Sequence, residues 1–133
     1  MVYLEFDADK PMRAENRNSE RKSVDIECSI TSRDGTFPGH ILDLSSGGAF
    51  IQCKQDIQAD ERITLKFKLK EEDGTTEHSV KAVVAHRGRF VQGYENFNGF
   101  GIRFLDVPEV TGFQLKEIIL HAGPITDRKY IMY

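Results

Sequence analysis

Apolar and polar residues alternate in several stretches of this chain, and turn-forming residues separate the stretches. Val24, Ile26, Cys28 and Ile30 share one parity, with Asp25, Glu27 and Ser29 on the other. That period of two predicts a half-buried strand over 23–32. Arg33-Asp34-Gly35-Thr36 follows, and Asp-Gly favours a hairpin connection into a second strand, about Phe37 to Leu44. A third strand is expected over Ala49–Lys54, with Ala49, Ile51 and Cys53 on one face, and a polar loop over 56–61. Ile63, Leu65, Phe67 and Leu69 then alternate with Thr64, Lys66, Lys68 and Lys70, the cleanest amphipathic strand of the chain. Glu71-Glu72-Asp73-Gly74 closes a hairpin into about His78–Arg87, with Val80, Ala82 and Val84 inward. Residues 88–99 carry three glycines and two asparagines and read as a loop. Phe100–Leu105 is the last strand, with Phe100, Ile102 and Phe104 on one face.

The period then changes. Pro108 suits the first turn of a helix. Val110, Phe113, Ile118 and Leu120 are expected on its buried side, although they fit one stripe loosely, and Gly123-Pro124 stops it. Six short strands and one helix predict an antiparallel barrel or sandwich with a capping helix. The expected organisation is an N-terminal arm at 1–22, a β-domain with its helix at 23–123, and a tail at 124–133 that packs or frays.

Length and charge narrow the function. A chain of 133 residues suits one domain. A net charge of −3 argues against a binder of nucleic-acid polymers, which needs a broad basic surface. Basic groups are nevertheless concentrated locally, since Arg13, Arg17, Arg21 and Lys22 fall together. Such a cluster on an acidic protein favours a small anionic ligand. The first residues carry acids and no long apolar stretch, unlike a signal peptide. No run approaches a membrane span, so the expected compartment is the cytoplasm, without membrane insertion. Cys28 and Cys53 lack metal spacing and fit inward strand positions, where free cysteine behaves as a small hydrophobe. Ser45 is not in a G-x-S-x-G elbow, and His40, His78, His86 and His121 show no metal spacing. The chain therefore reads as a binding protein, not an enzyme, with no metal and no cofactor.

Two motifs carry the chemistry. Arg17-Asn18-Ser19-Glu20-Arg21 is R-x-x-x-R, and Asp43-Leu44-Ser45-Ser46-Gly47-Gly48 is D-x-S-x-x-G. Guanidinium is a permanent cation with a planar fork of donors that matches phosphate oxygens and stacks on bases. Two arginines four residues apart can reach one ligand from one side, on a helix or on a strand. A carboxylate such as Asp43 can accept from the N1–H and N2–H₂ edge of guanine, a donor pair that adenine lacks. Ser45 adds a hydroxyl and a turn-forming side chain. Gly47 and Gly48 are expected to permit positive φ and close approach by a ligand ring, and the turn's amides to form an anion-binding nest.

In this order, followed by Gly101-Ile102-Arg103-Phe104, the motifs resemble those of the PilZ family, a bacterial receptor domain for cyclic di-GMP. The resemblance covers most of the chain. It implies a six-stranded antiparallel β-barrel with a C-terminal helix and a flexible N-terminal arm. It implies that Arg17 and Arg21 hold phosphates and stack on guanine. Asp43 and Ser45 would hold a guanine edge and adjacent phosphate, while Gly47 and Gly48 allow approach. Arg13-Ala14-Glu15-Asn16-Arg17 offers a second R-x-x-x-R register, but the family places its second Arg just before the first strand, which favours Arg17 and Arg21. Asn16 departs from the extra Arg that many members carry there, and Arg13 could compensate. Members often stack a bulky residue from the end of the preceding strand on the ligand; here the candidates are His86 and Arg87. Arg103 points away from the predicted core. The implied partners are cyclic di-GMP and a downstream protein in motility, biofilm or secretion control. The alternative is a PilZ-like interaction module that binds no nucleotide.

Overall fold

A computed structural model describes residues 21–124 and 128–132. Its strands are β1 (Lys22–Ser32), β2 (Gly35–Leu44), β3 (Gly48–Gln52), β4 (Arg62–Glu71), β5 (Gly74–Gln92) and β6 (Glu95–Asp106). Helix α1 (Glu109–His121) follows, then β7 (Gly123–Pro124) and β8 (Arg128–Met132). All pairings are antiparallel. The order β2-β3-β6-β5-β4-β1, closed by pairing of β1 with β2, makes a barrel-like six-stranded ring. The fold is mostly β with one C-terminal helix, as the alternation predicts.

The inward residues are those the period of two selects. Ile30, Ile41, Ala49, Ile51, Ile63, Leu65, Phe67, Leu69, Val80, Ala82, Val84, Phe100 and Ile102 form one buried cluster, and Val24, Ile26, Cys28 and Phe104 pack against it. Cys28 and Cys53 flank Gly39, since Cys28 pairs with Gly39 on β2 and Cys53 follows the end of β3. Burial and the nearby Cys53 push the Cys28 thiol up to about 12. Burial raises Cys53 as well, so both stay protonated and poorly nucleophilic at neutral pH.

Two expectations fail. Residues 88–99 are not a loop. β5 runs on to Gln92, β6 starts at Glu95, and the two pair from Gly88↔Gly99 to Gln92↔Glu95 around a turn in which Gly93 has φ 61°. The glycines that suggested a loop serve the ladder. A Cβ on Gly99 would lie 1.9 Å from the carbonyl oxygen of Ile51, so only glycine lets β6 pass this close to β3. Within the expected tail, Arg128–Met132 form β8 along β5.

Of the four residues expected on the buried side of the helix, Ile118 is there and the other three are not. Thr111 and Leu115 are buried, with Ile118 and Ile119 packed on the core. Val110, Phe113 and Leu120 are 69%, 62% and 69% exposed. Polar pairing sets the rotation. His78 is buried at an inward position of β5 and stacks on Phe67 with ring centroids 5.7 Å apart. Its Nδ1 lies 2.7 Å from the Thr111 hydroxyl and its Nε2 2.8 Å from the Thr76 hydroxyl. The Thr76 hydroxyl donates to Glu71, and Gln114 of α1 donates to the same carboxylate. With the Thr76 proton so used, Nε2–H donates to Thr76 and Nδ1 accepts from Thr111. At the far end, Lys22 donates to the carbonyl of Ala122 at 3.5 Å, and Gly123 pairs with Ser23.

Two glycine substitutions should move stability in opposite directions in urea unfolding. Gly99→Ala should cost about 2 kcal/mol or more, because the obstructing atom is backbone. In Gly112→Ala the new Cβ meets Val107 at an ordinary 3.6 Å, and the helix should gain about 0.5–1 kcal/mol.

Candidate functional site

The register between β1 and β2 brings Arg21, the last residue of the first motif, to the second. Lys22 pairs with Leu44 and Ser23 with Asp43, so Arg21, just before β1, stands beside the Asp43–Ser45 segment. An Arg21 Nη lies 3.7 Å from Asp43 Oδ2. This is an ion pair longer than the 2.7–2.9 Å of a tight charge-assisted hydrogen bond. The Arg21 side chain is 22% exposed and the Asp43 side chain 0%. Asp43 Oδ1 accepts from the backbone N–H of Phe50 at 2.9 Å, so each carboxylate oxygen faces a donor.

Ser45 is also buried. Its backbone N–H donates to the carbonyl of Gly48 at 2.9 Å, and its hydroxyl donates to the same oxygen at 3.3 Å. Ser46 and Gly47 form the exposed tip. The Gly47 carbonyl accepts from the N–H of Phe104 at 2.9 Å, which fastens the turn to β6. Neither Gly47 nor Gly48 takes a positive φ, contrary to expectation. A nest needs a left-handed residue, and none is present between Ser45 and Gly48. Gly48 is required for a different reason. A Cβ there would lie 2.1 Å from the carbonyl oxygen of Ile102, so the motif's glycine sets how closely β3 approaches β6. Gly47 has nothing within 4 Å of its Cβ position and leaves the tip open.

Arg17 and Arg13 lie outside the described residues. Arg103 is exposed and pairs with Gly48, on the same outer face as the turn. His86 pairs with Gly101, which in turn pairs with Phe50, so it shares that face. Burial above all lowers the His86 pKa, and positive charge, of which Arg21 is the smaller part, adds to it. Arg87 is directed elsewhere and bridges to Asp56.

One member of this face was not anticipated. Phe50 occupies the outward position between Ala49 and Ile51, yet it is fully buried and packs with Leu42 and Phe97 in a second apolar cluster. An aromatic residue at a polar-face position was the available signal. A recess of about 720 Å³ between β1 and β4, lined in part by Val24, Ile26, Phe67 and Leu69, contains no motif residue. Among the described residues no group of His, Cys, Asp and Glu is arranged to hold a metal. No helix of these residues is long and apolar enough to cross a membrane.

The PilZ domain model matches residues 15–121. The chain belongs to the PilZ domain family. No curated protein sequence matches it. Among solved structures it is similar to the Bacillus subtilis inhibitor of motility MotI/DgrA, with TM-score 0.66 and 17% identity over 82% of this chain and 51% of that one. It thus spans about half the length of that Bacillus protein. It is also similar to the PilZ domain of YcgR from Escherichia coli, solved with c-di-GMP, with TM-score 0.62 and 21% identity over 80% of this chain and 90% of that one. A third similar structure is the PilZ domain of CeSA from a cellulose-synthesizing bacterium, with TM-score 0.50 and 18% identity over 77% of this chain and 96% of that one. At these identities the likeness carries the PilZ fold.

Asp43 anchors the fold as well as the face. Asp43→Ala should lower stability by about 1–3 kcal/mol in urea unfolding, because it leaves the Phe50 amide without its acceptor. Asp43→Asn keeps an oxygen for that amide and should cost clearly less. Equal losses in the two variants would contradict this role.

Proposed function

We propose that this protein is a receptor that binds cyclic di-GMP reversibly at the Arg21–Asp43–Ser45 cluster and performs no chemistry. The observation that carries the reading is the β1–β2 register, which puts Arg21 3.7 Å from Asp43 in a chain of the PilZ family. Arg17 and Arg21 hold the phosphates and stack on guanine. Asp43 and Ser45 take one guanine edge and adjacent phosphate. Gly47 leaves the turn open, and Gly48 keeps it close against β6.

Asp43 is fully buried beside Arg21, so binding begins with an exchange. Arg21 leaves Oδ2 for ligand phosphate, and the guanine donors take its place. The long ion pair makes the exchange inexpensive, and the Phe50 amide keeps Oδ1 fixed throughout. Residues 8–22 then close over the ligand. The altered surface is read by a downstream protein, in the cytoplasm.

The second reading, an interaction module without nucleotide, draws support from the same burial, since Asp43 already has partners. Calorimetric titration of cyclic di-GMP, with GTP and cyclic di-AMP as controls, separates the two. The receptor reading expects selective binding at low micromolar or tighter. Charge-assisted hydrogen bonds contribute about 1.5–3 kcal/mol each. Arg17→Ala, Arg21→Ala and Asp43→Asn should therefore each weaken binding by roughly tenfold or more. Ligand should also raise hydrogen-exchange protection in residues 8–22. Absence of heat together with unchanged amide NMR shifts selects the interaction module.

A further inference from the structure

A chain of contacts leads from Arg21 through the turn to an arginine that neither motif contains. Arg21 lies 3.7 Å from Asp43, and one step along the β1–β2 register it stands opposite Ser45. Ser45 donates to the Gly48 carbonyl from both its amide and its hydroxyl. Gly48 in turn pairs with Arg103 of β6. The next residue, Phe104, donates its amide to the Gly47 carbonyl at 2.9 Å, so backbone bonds hold Arg103 beside the turn. Laterally paired residues of antiparallel strands project to the same side, and Gly48 puts no side chain between Arg103 and the turn. Three ladder spacings separate Arg21 from Arg103, about 14 Å between Cα atoms.

The ground between the two arginines is closed below and open above. Ser45 and Gly48 are buried, whereas Ser46, Gly47 and Arg103 are exposed. Nothing lies within 4 Å of where a Gly47 Cβ would be. Arg103 is also a cation with no carboxylate at hand. Its lateral neighbours are Gly48 on β3 and Val83 on β5, and Gly101 and Leu105 flank it on the same face of β6. None of the four can pair with a guanidinium, and among the described residues Arg103 makes no ion pair. An exposed arginine without a partner is ordinary on a strand. This one stands on the far flank of a turn whose near flank already holds a guanidinium.

We propose that Arg103 is a ligand-binding residue outside both motifs and takes the second phosphate of cyclic di-GMP. This rests on the receptor reading above. The ligand carries its two phosphodiesters on opposite sides of one ring. With one of them at Arg21, the ring lies across the exposed tip and turns the other toward Arg103. A guanidinium fork matches the two free oxygens of a phosphodiester. Arg21 must leave Asp43 to bind, but Arg103 has no carboxylate to leave.

The test is calorimetric titration of cyclic di-GMP into the whole chain at low and physiological salt, for the wild type, Arg103→Gln, Arg103→Lys and Lys66→Gln. Lys66 is exposed on β4 between Ser29 and Ser79 and controls for net charge. R103Q should bind about tenfold more weakly, the effect of losing one charge-assisted hydrogen bond, and its affinity should fall less steeply with salt. R103K, which keeps the charge without the fork, should fall between. K66Q should bind as the wild type does. Ligand should also shift the Arg103 Nε–H NMR signal. An R103Q affinity equal to the wild type's, an equal loss in K66Q, or an unmoved Arg103 signal overturns the assignment and leaves the receptor reading standing. No binding by the wild type overturns both.

Discussion

The outer face of this protein depends on where the β1–β2 ladder runs, and that is decided inside the ring. Ile26↔Ile41 and Ile30↔Phe37 fix the pairing through apolar side chains. Slipping a strand by one residue turns its whole apolar set to solvent, so the register has no cheap alternative. A shift of one residue in that ladder between Ser23 and Ile26 then sets Ser23↔Asp43, and with it the closeness of Arg21 to Asp43. The start of β1 is held on its other side too, by Gly123 of β7. A polar site built in this way inherits the rigidity of the core beneath it.

Asp43 makes the same point electrostatically. A fully buried carboxylate is costly unless both oxygens find donors. Here one donor is a backbone amide, which cannot leave, and the other is a guanidinium with 22% of its side chain exposed. The asymmetry gives the residue one oxygen tied to the backbone and one that faces a side chain. It also means that an alanine at this position removes the acceptor of a backbone amide and the partner of a guanidinium together.

Much of this was legible in the chain, and the failures have causes. One-sided strands such as 23–32 and 63–70 have a core on one face and water on the other, so the period of two survives in the sequence. The hairpin at 88–99 hid behind glycines, because Gly99 is needed for passage beside Ile51 and not for a turn. The rotation of α1 was hidden because a hydrogen bond from Thr111 to a buried histidine selects its inner face over Phe113 and Leu120. The motif glycines were visible, but their reason was not. Gly48 answers to the Ile102 carbonyl, a constraint between segments more than fifty positions apart. The family likeness implied one site for Arg21 and Asp43 but not their ion pair, since side-chain proximity across strands leaves no local trace.

β5 is one uninterrupted strand of 19 residues. It carries His86 beside a ladder irregularity between Val84 and His86, then runs beyond with β6 and β8 to the exposed tip at Tyr94. From His86 to Gln92 the strand covers about 20 Å. Geometrically it is a lever whose fulcrum sits at the irregularity. A tilt of about 10° there would sweep the tip through about 3–4 Å, given that length. A small change of angle at His86 is thus magnified at the far end of the hairpin.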